Sequence, residues 1–196
     1  MRVKRFQCGP LLANGYVLYQ NDNGNCFIVD PGYEAGKYLE YVREHGLSVQ
    51  SILLTHYHSD HAGQAEVLRD AFSAEVLMHA CDAAVYRGTV DRTLEGGEVL
   101  SLDGEPLEVL YTPGHTKGGI CLMAPKSRIC FTGDTIFDTD LGRTDLAGGS
   151  EEDMRASCRN VVDTWENDIK IYPGHEGSAT MKQVRKYNSE FLQMLK

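Results

Sequence analysis

Short apolar runs, punctuated by turn residues, make up the hydrophobic pattern of this chain. Val49-Gln50-Ser51-Ile52-Leu53-Leu54 reads as a buried strand. Runs at 25–30, 106–112 and 168–172 read as strands closed by Pro31-Gly32, Pro113-Gly114 and Pro173-Gly174, since Pro-Gly sets a turn after an extended segment. Two or three strands are predicted in residues 2–30, with a hairpin-like turn at Asn21-Asp22-Asn23-Gly24. A helix over 34–44, stopped by Gly46, precedes the strand at 49–55. The order continues with a helix over 63–72, a short strand at 75–78, a short helix at 81–86 and a loop at 87–97. Strands at 98–102, 106–112, 119–124 and 128–133 follow, then an irregular stretch at 134–149 rich in Asp, Gly and Thr. Ser150 and Asp153 pattern as a capping box for a helix to about Glu166, before a strand at 168–172 and a helix over 180–195. The order predicts an α/β or α+β fold with two sheets packed together and helices outside, in one domain spanning 1–196.

Composition narrows the picture. A chain of 196 residues can bury roughly 70% of its unfolded surface, and 42% hydrophobic with 24% charged residues is typical of globular proteins. A net charge of −9 gives no excess of Lys and Arg to grip a phosphate backbone, so nucleic acid is not an expected partner. No run approaches the roughly 20 apolar residues of a membrane span. The basic start Met1-Arg2-Val3-Lys4-Arg5-Phe6 lacks the apolar stretch of a signal peptide. Cys8, Cys26, Cys81, Cys121, Cys130 and Cys158 form no CxxC and read as reduced. Together these features lead us to expect a cytoplasmic protein.

The chemistry is concentrated at His56-Tyr57-His58-Ser59-Asp60-His61, which holds three of the seven histidines. Imidazole and carboxylate are natural ligands of Zn²⁺ and related ions, and no packing requirement asks for so many at a strand end. The strand–turn grammar recurs in Tyr111-Thr112-Pro113-Gly114-His115, Phe131-Thr132-Gly133-Asp134, Tyr172-Pro173-Gly174-His175 and Phe27-Ile28-Val29-Asp30. His56 and His58 share one side of an extended segment, Asp60 falls in the same register, and His61 comes from the turn beyond. His45, before Gly46 at a helix end, reads as structural, and His79 as a packing or hydrogen-bonding residue.

His56-x-His58-x-Asp60-His61 followed by His115, Asp134 and His175 resembles the metallo-β-lactamase superfamily. The resemblance implies a four-layered αβ/βα sandwich with metals at one edge of the sheets. It implies two divalent ions, zinc foremost, with iron or manganese left open. His56, His58 and His115 would bind the first, Asp60, His61 and His175 the second, and Asp134 would bridge them. Asp60 and Asp134 would be catalytic by holding a bridging hydroxide, and Asp30 would orient a ligand histidine. Thr112-Pro113-Gly114-His115-Thr116-x-Gly118, Thr132-Gly133-Asp134-Thr135-x-Phe137 and Gly142-Arg143-Thr144-Asp145 are most similar to the hydroxyacylglutathione hydrolase (glyoxalase II) group, here in a small single-domain form.

The expected activity is therefore hydrolysis of small acyl thioesters, with the loops 87–97 and 134–149 lining the pocket. Arg143 is a candidate for a substrate carboxylate, the alternative being an ion pair with Asp140 or Asp145. Two departures from full-length glyoxalase II stand out: the sequence ends about 20 residues after His175, and Asp145 replaces an aromatic residue that touches glutathione. A persulfide dioxygenase-like iron oxidoreductase and a lactonase are the alternative activities, and a homodimer is left open.

Overall fold

The computed structural model describes residues 1–196 and shows two six-stranded sheets. The first holds β1 (Arg2–Cys8), β2 (Ala13–Tyr19), β3 (Asn25–Val29), β4 (Ser48–Leu54), β5 (Glu75–His79) and β6 (Arg92–Leu94) in that order. The second holds β7 (Val99–Leu102), β8 (Glu105–Tyr111), β9 (Ile120–Ala124), β10 (Ile129–Gly133), β11 (Lys170–Pro173) and β12 (Ala179–Thr180). The helices are α1 (Ala35–Glu44), α2 (Ser59–Ala62), α3 (Ala65–Phe72), α4 (Ala80–Ala83), α5 (Glu151–Asn160), α6 (Met181–Tyr187) and α7 (Ser189–Met194). No helix is long and apolar enough to cross a membrane.

Period-two alternation sorts the strands' side chains into layers. Tyr16 and Leu18 of β2 pack between the sheets against Leu107, Leu122 and Phe131. Their neighbours Val17 and Tyr19 face the other way, against Tyr38 and Val42 of α1 and Leu68 of α3. Cys121, Cys130 and Ile171 of the second sheet face Met154, Val184 and Phe191 on α5, α6 and α7. Three apolar clusters thus separate four layers, helix–sheet–sheet–helix, as the resemblance implied.

Strand direction brings the chemistry to one edge. β3 and β4 run parallel, so Val29 and Leu54 end side by side. β8 and β10 both run antiparallel to β9, and β11 runs parallel to β10. The segments after β8, β10 and β11 therefore leave the second sheet on one side. Ile120 N–H donates to Thr55 O (3.0 Å) and Asn14 N–H to Gly174 O (2.7 Å), joining the sheets there.

The structure revises four predicted elements. The helix expected over 63–72 starts at Ala65, after the separate turn α2, so Asp60 sits in a helical turn and not in the extended register of His56 and His58. The loop 87–97 contains β6, a short edge strand in which only Leu94 is buried. The helix expected to reach Glu166 ends at Asn160. A 3-10 turn then leads to the buried Trp165. The helix expected over 180–195 breaks at the buried Asn188, whose amide donates to Phe137 O and Asp140 O while its Oδ1 caps α7 at Phe191 N–H. Of the box expected at Ser150, the structure shows the serine accepting from Asp153 N–H, and a complete capping box forms instead between Thr180 and Gln183.

The helix layer is tied to the first sheet by Asp91, which accepts two hydrogen bonds from Arg69 of α3 and one from Val76 N–H of β5. Arg69 pulls the Asp91 carboxyl down to about 2. A depressed carboxylate stabilises the fold above its unfolded value of about 3.9 and loses that contribution as pH falls through the folded value. With the two side chains 34% and 21% exposed, solvent screening leaves about 1 kcal/mol. Asp91→Asn should therefore lower stability by about that amount at pH 7, and chemical denaturation should show the gap closing between pH 5 and pH 2.

Candidate metal centre

Five strand ends supply the site. Thr55 and His56 follow β4, and His58 directly precedes α2, which carries Asp60 and His61. His115, Asp134 and His175 follow β8, β10 and β11, and Asp30 follows β3. His56, His58 and His115 place their ligand atoms within 4.8 Å of one another, as do Asp60, His61 and His175. Asp134 lies between the groups, with Oδ2 3.5 Å from both His115 Nε2 and His175 Nε2 and Oδ1 3.4 Å from His61 Nε2. All seven predicted ligands converge.

Two Pro-Gly turns are fitted to this crowding. A Cβ on Gly174 would lie 2.1 Å from Asp134 Oδ1 and 2.7 Å from His61 Cε1, and one on Gly32 would lie 1.5 Å from Asp60 O. Only glycine lets these turns pass so close to ligand-bearing backbone.

Partners outside the cluster orient the rings. His115 Nδ1–H donates to Arg143 O (2.7 Å) and His175 Nδ1–H to Leu11 O (3.1 Å). In the neutral ring this assigns the tautomer that turns each Nε2 lone pair inward. Asp30, at a left-handed φ of 49°, accepts from Thr55 N–H (2.8 Å) and Thr55 Oγ1–H (2.6 Å). Thr55 Oγ1 lies 3.1 Å from His56 Nδ1, and Asp30 Oδ2 lies 3.5 Å from His61 Nδ1. Asp30 thus reaches two ligand rings, one through Thr55. The polar Thr55 after three apolar residues was the available sequence signal for this relay. The carbonyls of Leu11 and Arg143 carried none.

Electrostatics separate the two groups. Burial, reinforced by the other imidazoles, pushes His56 and His58 below the ordinary histidine range, so both are neutral donors of lone pairs. For His61, burial is outweighed by Asp134, Asp30 and Asp60, which raise it well above that range. For His175, Asp134 and Asp60 outweigh burial and raise it to about 9. Burial would raise Asp60 and Asp134, yet the adjacent histidines hold both carboxyls well below their ordinary range. The second group therefore holds protons in positions where a cation would displace them.

A metal fits these residues. His56 Nε2 and Asp134 Oδ1 are buried without a hydrogen-bond partner, an arrangement that is rare unless an ion or water completes it. His58 Nδ1 and His115 Nε2 lie 2.9 Å apart, and His61 Nε2 and His175 Nε2 3.2 Å. These nitrogens have one another for neighbours, and a shared cation satisfies them together.

The remaining candidates lie elsewhere. The Arg143 guanidinium donates to Asp145 from Nε and Nη2 (both 2.7 Å) at the surface, the ion-pair alternative of the sequence reading. His79 caps α4 and stacks on Tyr111, and His45 stacks on Tyr41 at the end of α1. Beside His58 opens a groove of about 590 Å³ lined by Tyr57, Val67, Val85, Tyr86 and Arg87. Of the expected lining, the 87–97 segment contributes Arg87 and Gly88. The 134–149 stretch contributes no lining residue to this groove, and touches its edge where Ala147 O accepts from the Tyr57 hydroxyl (3.0 Å).

A family model described as "Metallo-beta-lactamase superfamily" matches residues 8–175. The "Hydroxyacylglutathione hydrolase GloC" of Haemophilus influenzae is 33% identical, over 87% of this chain and 89% of its own. The BLEG-1 B3 metallo-beta-lactamase crystal structure superposes with a TM-score of 0.88 at 29% identity, covering 96% of this chain and 98% of its own. That of TTHA1623 in a di-iron-bound form has a TM-score of 0.83 at 28% identity, covering 95% and 98%.

Zinc added to chelator-treated protein should raise its melting temperature progressively with concentration. A melting curve indifferent to zinc would show that the clustered groups are satisfied without a cation. Gly174→Ala should reduce the metal retained per chain, measured by elemental analysis.

Proposed function

This chain belongs to the metallo-beta-lactamase superfamily, whose members bind metal ions, and from that premise we propose that it is a binuclear metal-dependent hydrolase of acyl thioesters, similar to the glyoxalase II group. The observation that carries the reading is the pair of three-residue clusters with Asp134 between them. We assign His56, His58 and His115 to one ion, Asp60, His61 and His175 to the other, and Asp134 to both, within one domain spanning 1–196. Two bound dications supply a water acidified towards a pKa of about 7 and an electrophile for the substrate carbonyl.

The chain's own groups then favour a particular leaving group. Asp60 and Asp134 are held ionised, so they would orient the attacking water or hydroxide by accepting hydrogen bonds from it and have no proton to donate. His61 and His175, the groups that hold protons, are assigned to metal and are not free acids. Glu176, beside His175, is raised to about 7 by its neighbour Asp138 rather than by the cluster; with no acid assigned to the leaving group, that group would depart unprotonated. A thiolate does this readily and an amide nitrogen does not, which is the reason for preferring thioesters. The likeness to GloC supports the same class.

The groove at His58 suits an apolar limb of the substrate, with Val67 and Val85 exposed along it at 49% and 57%. Arg143 remains a candidate for a substrate carboxylate. Its pair with Asp145 is exposed on both sides, and solvent screens such pairs, so exchange costs little. Zinc is the first choice of metal. Iron is a second reading, because TTHA1623 is described in a di-iron-bound form and imidazole–carboxylate ligands do not separate the two.

Asp60→Ala should abolish thioester hydrolysis, by about 10³-fold or more in kcat, while circular dichroism shows the fold unchanged. Thioesterase, lactonase and persulfide oxygen-uptake assays on protein of measured metal content identify the chemistry. Thioester turnover with two metals per chain supports the reading. One iron per chain with oxygen consumption, or a preference for lactones, would replace it.

A further inference from the structure

The ligand assignment leaves the Thr116-x-Gly118 part of the His115 motif unexplained, and with it the completely buried Asp82 of α4. Asp82 Oδ2 accepts from Tyr57 N–H (3.1 Å) and from the Thr116 hydroxyl (2.8 Å), and Oδ1 accepts from Gly118 N–H (2.5 Å). Tyr57 stands between His56 and His58, and Thr116 directly follows His115. One carboxylate therefore ties together the two loops that deliver the three imidazoles of the first cluster.

The fit is specific. A Cβ on Gly118 would lie 2.5 Å from Asp82 N and 2.6 Å from its Oδ1, so both the threonine and the glycine of the motif are matched to this carboxylate. The β5–α4 corner holds the same segment at a second point. His79 stacks on Tyr111 at 4.5 Å, and the Tyr111 hydroxyl donates to Lys117 O (2.8 Å). Burial pushes the Asp82 carboxyl up from its ordinary range in spite of its three donors. The fold thus carries a buried acid whose desolvation is offset by three donors, and an apolar residue in its place would leave those donors without an acceptor.

We propose that Asp82 is a positioning residue for the first metal site, fixing the spacing of His56 and His58 against His115 by anchoring both loops to one carboxylate. It touches neither metal nor substrate. The proposal rests on the metal reading above, and the test separates the two.

Zinc affinity is measured by competition with a chromophoric chelator, and site geometry by the visible spectrum of cobalt-loaded protein. The proteins are the unaltered chain, Asp82→Asn, Thr116→Val and, as a control, Asp91→Asn. Asp82→Asn and Thr116→Val should weaken binding of the first equivalent by about ten- to a hundredfold and alter the cobalt bands. Asp91→Asn, which loosens the fold away from the cluster, should lose stability yet keep affinity and spectrum. An unaltered chain that binds no metal would overturn the metal reading itself. An unaltered chain that binds, with Asp82→Asn and Thr116→Val matching it in both readouts or with Asp91→Asn weakened as much as they are, would overturn the positioning role alone. If Asp82→Asn does not fold, Thr116→Val, which nearly preserves side-chain volume, decides by the same readouts.

Discussion

Lone pairs and negative charges that converge on one point repel each other, and a flexible chain would move them apart. Here the backbone prevents it. Five strand ends from two stacked sheets meet at one edge, and hydrogen bonds from Ile120 to Thr55 and from Asn14 to Gly174 join the sheets there. The inter-sheet cluster around Tyr16, Leu53, Leu122 and Phe131 fixes the strands on which those ends depend. Strain is visible close to the centre in the left-handed Asp30, and close approach in Gly32 and Gly174, where a side chain would collide with Asp60 and Asp134. Such strain persists where the surroundings over-determine it, and a cation is the group that turns the convergence into attraction.

The outer contacts follow one logic. His115 and His175 are each oriented by a backbone carbonyl, His56 by Thr55, and Thr55 in turn by Asp30. Each contact occupies the outward ring nitrogen or its neighbour and turns the inward atom towards the other residues of the cluster. The two groups remain electrostatically distinct: neutral rings at His56 and His58, and protonated rings between carboxylates at His61 and His175. The first offers lone pairs directly, whereas the second must exchange protons for a cation.

Much of this was legible in the sequence for identifiable reasons. The 56–61 cluster is local, and the later ligands follow the same strand–turn pattern, so all seven positions could be named. Two packed sheets with helices outside were legible from the order of strand and helix runs, and the four-layer arrangement from the family resemblance. What could not be read depends on distance or on tertiary bonds. The donors to Asp82 lie 25, 34 and 36 positions away, and the carbonyl that orients His175 lies 164 positions away. The break at Asn188 arises because its amide reaches Phe137 and Asp140, contacts that override a continuous helical pattern. Asp60 was misplaced in an extended register because a four-residue turn such as α2 is too short to leave a periodicity.

The central claim concerns where cations sit. Anomalous diffraction from crystals of zinc-loaded protein, collected on both sides of the zinc absorption edge, locates them directly. The account predicts one peak among His56, His58 and His115, a second among Asp60, His61 and His175, and Asp134 in contact with both. Zinc peaks elsewhere, or none at these clusters in protein shown by elemental analysis to carry zinc, would contradict it.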